Sequence, residues 1–195
     1  MKDTQAKWDA IYRLSNLQTQ PCQVLADQQF LLPKQGKALD LACGLGSNAL
    51  LLAKAGLQVE AWDISPVALT YLQKQADIHR LQISTKQRNI TPEMLPVAEY
   101  DVIVISRFLD RSLCNAIMMA LKSDGLLFYQ TFTRAKLDPQ GPGNPDFLLD
   151  TNELLRLFRP LTLIHYQEHA KIGNLQYGNR NEAQFIGQKL LLESL

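Results

Sequence analysis

Cysteine is scarce in this 195-residue chain: Cys22, Cys43 and Cys114 stand far apart and form no Cys-x-x-Cys pair. An odd, scattered set argues against both a disulfide framework and a zinc site, and no metal is expected. Charge excess is also missing, with 20 Lys+Arg against 19 Asp+Glu and a net charge of +1. Nucleic-acid affinity comes largely from phosphate neutralisation, so a nucleic-acid partner is not expected. No apolar run approaches the length of a membrane span. Met1 to Lys7 lacks the apolar centre of a secretory signal, which makes the cytoplasm the expected address. Internal repeats and low-complexity tails are absent, and nothing bears on oligomeric state.

The sequence does contain an alternation of short apolar runs with helical segments. Hydrophobic residues at 46% and charged residues at 20% suit one globular domain, expected to span 1–195. Residues 1–35 read as helices, with Trp8, Ile11 and Tyr12 at helical spacing. A polar stretch up to Pro21 and a second helix from Val24 to Leu32 follow. The core, 36–195, opens with the run Ala38 to Ala42. Then come a helix from Ser47 to Ala55, a strand Val59 to Trp62, and a helix from Pro66 to about His79. Leu81 to Gln87 and Tyr100 to Ser106 are further strands, and Leu113 to Leu121 is a helix. A turn at Asp124-Gly125 leads into the strand Leu126 to Phe132. After a Pro/Gly-rich loop from Leu137 to Pro145, a helix at Asn152 to Phe158 precedes strands at Leu161 to Tyr166 and Ala183 to Leu190. Only a loop separates those two strands, so they are expected to pair antiparallel. The pattern predicts an α/β, Rossmann-like three-layer sandwich: a mostly parallel seven-stranded sheet with an antiparallel final strand pair.

The chemistry concentrates where the first strand meets its helix, at Leu39-Asp40-Leu41-Ala42-Cys43-Gly44-Leu45-Gly46-Ser47-Asn48-Ala49. Gly44 and Gly46 allow the backbone close to a ligand, and the helix start presents free N–H groups there. A side chain at Gly46 is expected to obstruct that ligand. At the tip of the next strand stands Asp63, whose carboxylate can accept hydrogen bonds from both hydroxyls of an adenosine ribose. Glycines, strand, helix and acid in this order point to an adenosyl cofactor. Two classes fit. Gly44-x-Gly46-x-x-Ala49 satisfies the dinucleotide fingerprint of an NAD-dependent dehydrogenase. Asp40 tips the balance, since a carboxylate there opposes a pyrophosphate but suits the cationic tail of S-adenosylmethionine. The dehydrogenase pair Tyr-x-x-x-Lys is also missing, Tyr71 and Lys74 being three apart. A non-catalytic protein that merely binds S-adenosylmethionine is a third possibility.

The stretch Leu39 to Asp63, with Trp62-Asp63-Ile64-Ser65 at its end, resembles class I S-adenosylmethionine-dependent methyltransferases. In particular it resembles the small bacterial branch related to tellurite-resistance methyltransferases. The likeness continues through Trp8-Asp9-x-x-Tyr12, Arg107-Phe108-Leu109-Asp110-Arg111, Leu127 to Thr133 and Asn144 to Leu149, and so covers nearly the whole chain. Ala42 stands where that family has the first glycine of its turn. The resemblance implies methyl transfer from S-adenosylmethionine to a small-molecule acceptor. Asp63 would hold the ribose, Ile64 would pack on adenine, and Asn89 would meet the adenine amino group. Ala42, Cys43 and Ile90 would complete the cradle, with Ser106 and Arg107 beside the methyl donor. Trp8 and Tyr12 would close over the cofactor from the N-terminal helix, where aromatic faces suit a sulfonium. No general base and no catalytic side chain is singled out.

Basic residues follow the fourth and fifth strands: Arg107, Arg111, Arg134 and Lys136. Strand ends of an open α/β sheet face the ligand crevice, so these side chains favour a small anionic acceptor. The resemblance to tellurite-resistance methyltransferases points the same way and implies a metalloid oxyanion or a small organic acid. The contrary reading is surface pairing with nearby acids. His79 reads as a solvated cation at the end of a helix, and His165 and His169 as structural.

Overall fold

The computed structural model describes residues 2–14 and 20–190; the polar stretch before Pro21 falls mostly on 15–19, outside the described residues. The apolar runs form β1 (Lys37–Leu41), β2 (Gln58–Asp63), β3 (Ile83–Gln87), β4 (Tyr100–Ser106), β5 (Leu121–Phe132), β6 (Thr162–Gln167) and β7 (Glu182–Gln188). They make one seven-stranded sheet in the order β3-β2-β1-β4-β5-β7-β6. β1 to β5 are parallel, and β7 runs antiparallel to both β5 and β6. The expected reversed pair is therefore present. β7 is the reversed member, inserted between β5 and the edge strand β6.

Strand alternation divides the core in two. Leu39, Leu41, Ile103 and Ile105 face one side, where α5 (Cys114–Ala120) and α6 (Glu153–Leu157) contribute Ile117 and Leu154. Ala38, Val59, Ala61, Val102 and Val104 face the other. That side is covered by α2 (Gln23–Asp27), α3 (Ser47–Lys54) and α4 (Pro66–His79). Pro66 opens α4, as expected from the sequence, and Ser65, not singled out from the sequence, caps it by accepting from Ala68 N. Among the described residues no helix is long and apolar enough to cross a membrane.

Two boundaries differ from expectation. The helix drawn from Val24 to Leu32 stops at Asp27 and continues as a 3-10 turn at Gln29–Leu31. Val24 and Leu25 are buried in the core while Phe30 faces solvent, so burial ends before the apolar residues do. The Asp124-Gly125 turn is an irregularity inside a longer β5: Asp124 has φ +62°, and the β4 pairing slips between Tyr100 and Val102. Between β3 and β4, where the sequence pattern specifies no element, there is a 3-10 turn at Pro92–Met94. On β2 a carboxylate, Glu60, gathers Trp62 Nε1, Lys86 Nζ and Tyr100 Oη and pairs with Lys37.

Candidate functional site

A cavity of about 450 Å³ opens at the C-terminal ends of β1, β2 and β4, under α1 (Lys2–Leu14). Its floor is the turn after β1. Ala42, Gly44 and Gly46 all have positive φ, at +56°, +53° and +79°. Cys43 N donates to Trp62 O at 3.0 Å and Gly46 N to Cys43 O at 2.9 Å, which hold the turn against β2. Ala42 thus adopts a conformation that glycine takes more easily. The two glycines have different neighbours. A Cβ on Gly44 would lie 2.8 Å from Tyr12 Oη, across the cavity floor. A Cβ on Gly46 would lie 2.4 Å from Leu72 Cδ1, in the core between α3 and α4.

Asp63 ends β2 on the cavity wall with 5% of its surface exposed. Its Oδ2 accepts from Gly44 N and its Oδ1 from Ser65 N, both at 2.8 Å. Each oxygen keeps a second lone pair for a ligand hydroxyl. Burial pushes the carboxyl above its ordinary value, and the two backbone donors oppose that shift. Ser65 Oγ also donates to Asp9 Oδ1, which ties α1 to the start of α4. That tie sets Trp8 and Tyr12, stacked with ring centroids 5.7 Å apart, into the cavity wall.

Asp40 is fully buried behind the turn. Strand alternation points it to the α3 side, where Oδ2 accepts from Ala49 N at 2.9 Å and Oδ1 makes no hydrogen bond among the described residues. Burial above all, with the Asp63 charge adding to it, pushes this carboxyl up to about 7. A donor at the start of α3 is thereby taken by the protein's own acid. That weakens α3 as a phosphate cradle.

The far wall is polar. Asn48, on α3, donates to Ser106 Oγ at 3.0 Å and accepts from Cys22 N at 2.9 Å, which joins the α2 entry, α3 and the end of β4. Arg107 follows with φ +53°, its N–H held by Gln130 O at 2.8 Å. Its Nε donates to Glu182 Oε1 at 2.7 Å. Arg88 N donates to Asp63 O at 2.8 Å, which places Asn89 and Ile90 on the rim opposite Arg107.

The model of the family "Tellurite resistance protein TehB" matches residues 11–187. The chain belongs to the TehB family. It is 27% identical over 159 residues to the "Probable S-adenosyl-L-methionine-dependent methyltransferase TehB" of Haemophilus influenzae, covering 76% of this chain and 54% of that protein. It is 30% identical over 161 residues to the "Ubiquinone biosynthesis O-methyltransferase" of Actinobacillus pleuropneumoniae serotype 7, covering 70% of this chain and 65% of that one. The crystal structure of Haemophilus influenzae TehB superposes with a TM-score of 0.70 at 23% identity, covering 94% of this chain and 67% of that chain. The chain thus spans little more than half the length of the first of these relatives.

Within this TehB-family fold, most of the residues singled out from the sequence share the cavity. Ala42, Cys43, Gly44, Asp63, Ile64, Asn89, Ile90, Ser106 and Arg107 line it, as do Trp8 and Tyr12. Four do not. Asp40 sits beneath the turn and Gly46 faces Leu72, as described. Arg111 gives Nε and Nη2 to Glu153 and further bonds to Asp146 O and Leu148 O, so its donors are spent on holding the 146–153 segment. Arg134 pairs with Asp150 at 3.0 Å outside the cavity. Lys136, also read as basic at the crevice, donates to Gln140 O and Pro142 O. Sequence reasoning missed Asn48, Phe132 and Glu182. Asn48 had a signal, a lone amide in the Ala/Leu-rich α3. Phe132 and Glu182 are joined to the site only by strand pairing, where they stand opposite each other.

Proposed function

We propose that this chain transfers a methyl group from S-adenosylmethionine to a small-molecule acceptor. The observation that carries the reading is Asp63: a carboxylate fixed by Gly44 N and Ser65 N on the wall of a cavity of about 450 Å³, with lone pairs left for a vicinal diol. The cofactor's residues are all at hand. Asp63 would hold the ribose, and Ile64 and Ile90 would flank the adenine with Asn89 at its edge. The close approach over Gly44 would take the sulfonium end, and the Trp8 and Tyr12 rings would cover a cationic sulfur. Bound there, the cofactor supplies an electrophilic methyl on a sulfonium.

What the protein adds is alignment and exclusion of water. α1, held by Asp9 and Ser65, closes one side, and the Asn48–Ser106 hydrogen bond fixes the end of β4. A nicotinamide dinucleotide suits the turn less well, because Asp40 already occupies Ala49 N at the start of α3, a donor that a pyrophosphate would use. Of the four basic side chains considered for the acceptor, Arg107 alone lines the cavity. It supports an anionic acceptor, which a guanidinium can meet through two parallel hydrogen bonds. The test is turnover to S-adenosylhomocysteine across paired anionic and neutral acceptors. Preference for the anions, lost in Arg107→Ala, supports the reading; equal use of neutral acceptors removes the anionic part. Absence of turnover with every acceptor, despite cofactor binding, would favour a binding protein without catalysis.

A further inference from the structure

Glu182 opens β7 with only 4% of its side chain exposed, beside an arginine that is 62% exposed. A buried carboxylate needs partners, and this one has them from three segments. Oε1 accepts from Arg107 Nε at 2.7 Å, while Oε2 accepts from Gln130 Nε2 on β5 and from Asn179 Nδ2 at 3.2 Å. Gln130 is itself fixed, because its Oε1 accepts from Val24 N at 2.8 Å. The carboxylate therefore cannot turn away without breaking bonds to β5 and to the loop before β7.

Arg107 is held just as firmly at its backbone. Its φ of +53° is costly for a residue with a Cβ, and Gln130 O retains its N–H there. Its guanidinium lies 5.9 Å from the centroid of the Phe132 ring. Glu182 takes Nε alone, so Nη1 and Nη2 make no hydrogen bond to any described residue. The Nη1–Nη2 edge presents two parallel donors, the shape that matches a carboxylate or another oxyanion.

We propose that Glu182 is a positioning residue that holds the Arg107 guanidinium over Phe132, with its Nη edge presented to an anionic group of the acceptor. The assignment rests on the methyltransferase reading of the cavity. A flexible arginine loses rotamer freedom when it binds an anion; one clamped at Nε by a buried carboxylate has lost it already. Glu182 also balances the guanidinium charge, so recognition depends on the geometry of the fork more than on a net positive field.

The experiment is calorimetric titration of the chain saturated with S-adenosylhomocysteine, using selenite, 4-hydroxybenzoate and the methyl ester of 4-hydroxybenzoate as probes. Wild type should bind both anions and prefer 4-hydroxybenzoate to its neutral ester. Arg107→Ala and Glu182→Ala should each weaken the anions about tenfold to a hundredfold, as expected when a hydrogen bond to a charged group is lost or misplaced. The double variant should be no weaker than Arg107→Ala, because Glu182 acts through that side chain. Glu182→Gln, which keeps an acceptor for Nε and disturbs folding least, should recover most of the affinity. S-adenosylhomocysteine affinity should stay within about twofold in Glu182→Ala and Glu182→Gln, since Glu182 does not line the cavity itself. Additive losses in the double variant, or unchanged anion affinity in both Glu182→Ala and Glu182→Gln, would overturn the assignment. A wild-type chain that takes up S-adenosylhomocysteine but neither anion overturns this role alone. A chain that does not take up S-adenosylhomocysteine overturns the cofactor reading as well.

Discussion

Replacing each glycine of the β1–α3 turn by alanine should separate folding from binding. Gly46 has φ +79°, and a Cβ there would lie 2.4 to 2.8 Å from three atoms of Leu72, which is fully buried. A left-handed conformation costs a residue with a Cβ about 1–2 kcal/mol. Forcing a methyl into a packed core costs about 1–3 kcal/mol, and the stiffer unfolded chain returns about 0.4–1 kcal/mol. Gly46→Ala should therefore destabilise by roughly 2–4 kcal/mol, equivalent to a fall in Tm of roughly 5–15 °C for a domain of this size. Gly44, at φ +53°, carries the same conformational cost, but its Cβ would meet the far end of Tyr12, which can shift. Gly44→Ala should cost only about 1 kcal/mol in stability. It should lose cofactor affinity instead, because the displaced Tyr12 moves into the cavity. Urea denaturation and calorimetry with S-adenosylhomocysteine read the two effects separately. A Gly46→Ala protein of wild-type stability that no longer binds would refute this division and return Gly46 to the cofactor surface.

Further outcomes follow from the same geometry. Asp40 titrates near 7 in the folded chain against an ordinary 3.8, so the native state holds the extra proton between those values. Stability should then fall as pH rises from about 4 to 7, by up to roughly 1.4 kcal/mol per pH unit, and Asp40→Asn should flatten that slope in urea titrations. If the slope is the same in both proteins, the carboxyl is not the titrating group. Arg111→Ala leaves Glu153 buried without its cation and should cost about 1–3 kcal/mol, while S-adenosylhomocysteine affinity is retained. A loss of affinity without a loss of stability would restore Arg111 to the site. Ser65→Ala removes both the cap of α4 and the tie to Asp9. It should cost about 1 kcal/mol of stability and weaken cofactor binding as α1 loosens, which Trp8 fluorescence can follow.

The sheet was legible because its central strands, buried between helices on both faces, read as continuous apolar runs. Asp63 was legible because a charge at the tip of a buried strand needs a partner. What escaped was set by tertiary packing. Gly44 and Gly46 look alike in a sequence, yet one faces Tyr12 and the other Leu72, which only the docking of α1 and α4 decides. Asp40 reads as a ligand for a cationic tail, while β1's pleat turns it to Ala49 N beneath the turn. Arg111 and Arg134 follow strands that end at the crevice, but Glu153 and Asp150 claim them from a segment about 40 and 16 residues away. Glu182 reaches the site only through the β5–β7 pairing.

The central claim is that Asp63 and the Gly44 turn hold an adenosyl cofactor of the S-adenosylmethionine class. Its most direct test is calorimetry of the purified chain with S-adenosylhomocysteine and with NAD, repeated on Asp63→Ala and on the gentler Asp63→Asn. S-adenosylhomocysteine should bind and NAD should not, and Asp63→Ala should cost about 1.5–3 kcal/mol of binding, as for lost hydrogen bonds to a charged group. Tighter binding of NAD than of S-adenosylhomocysteine, or full affinity in both Asp63 variants while the fold is intact, would contradict it.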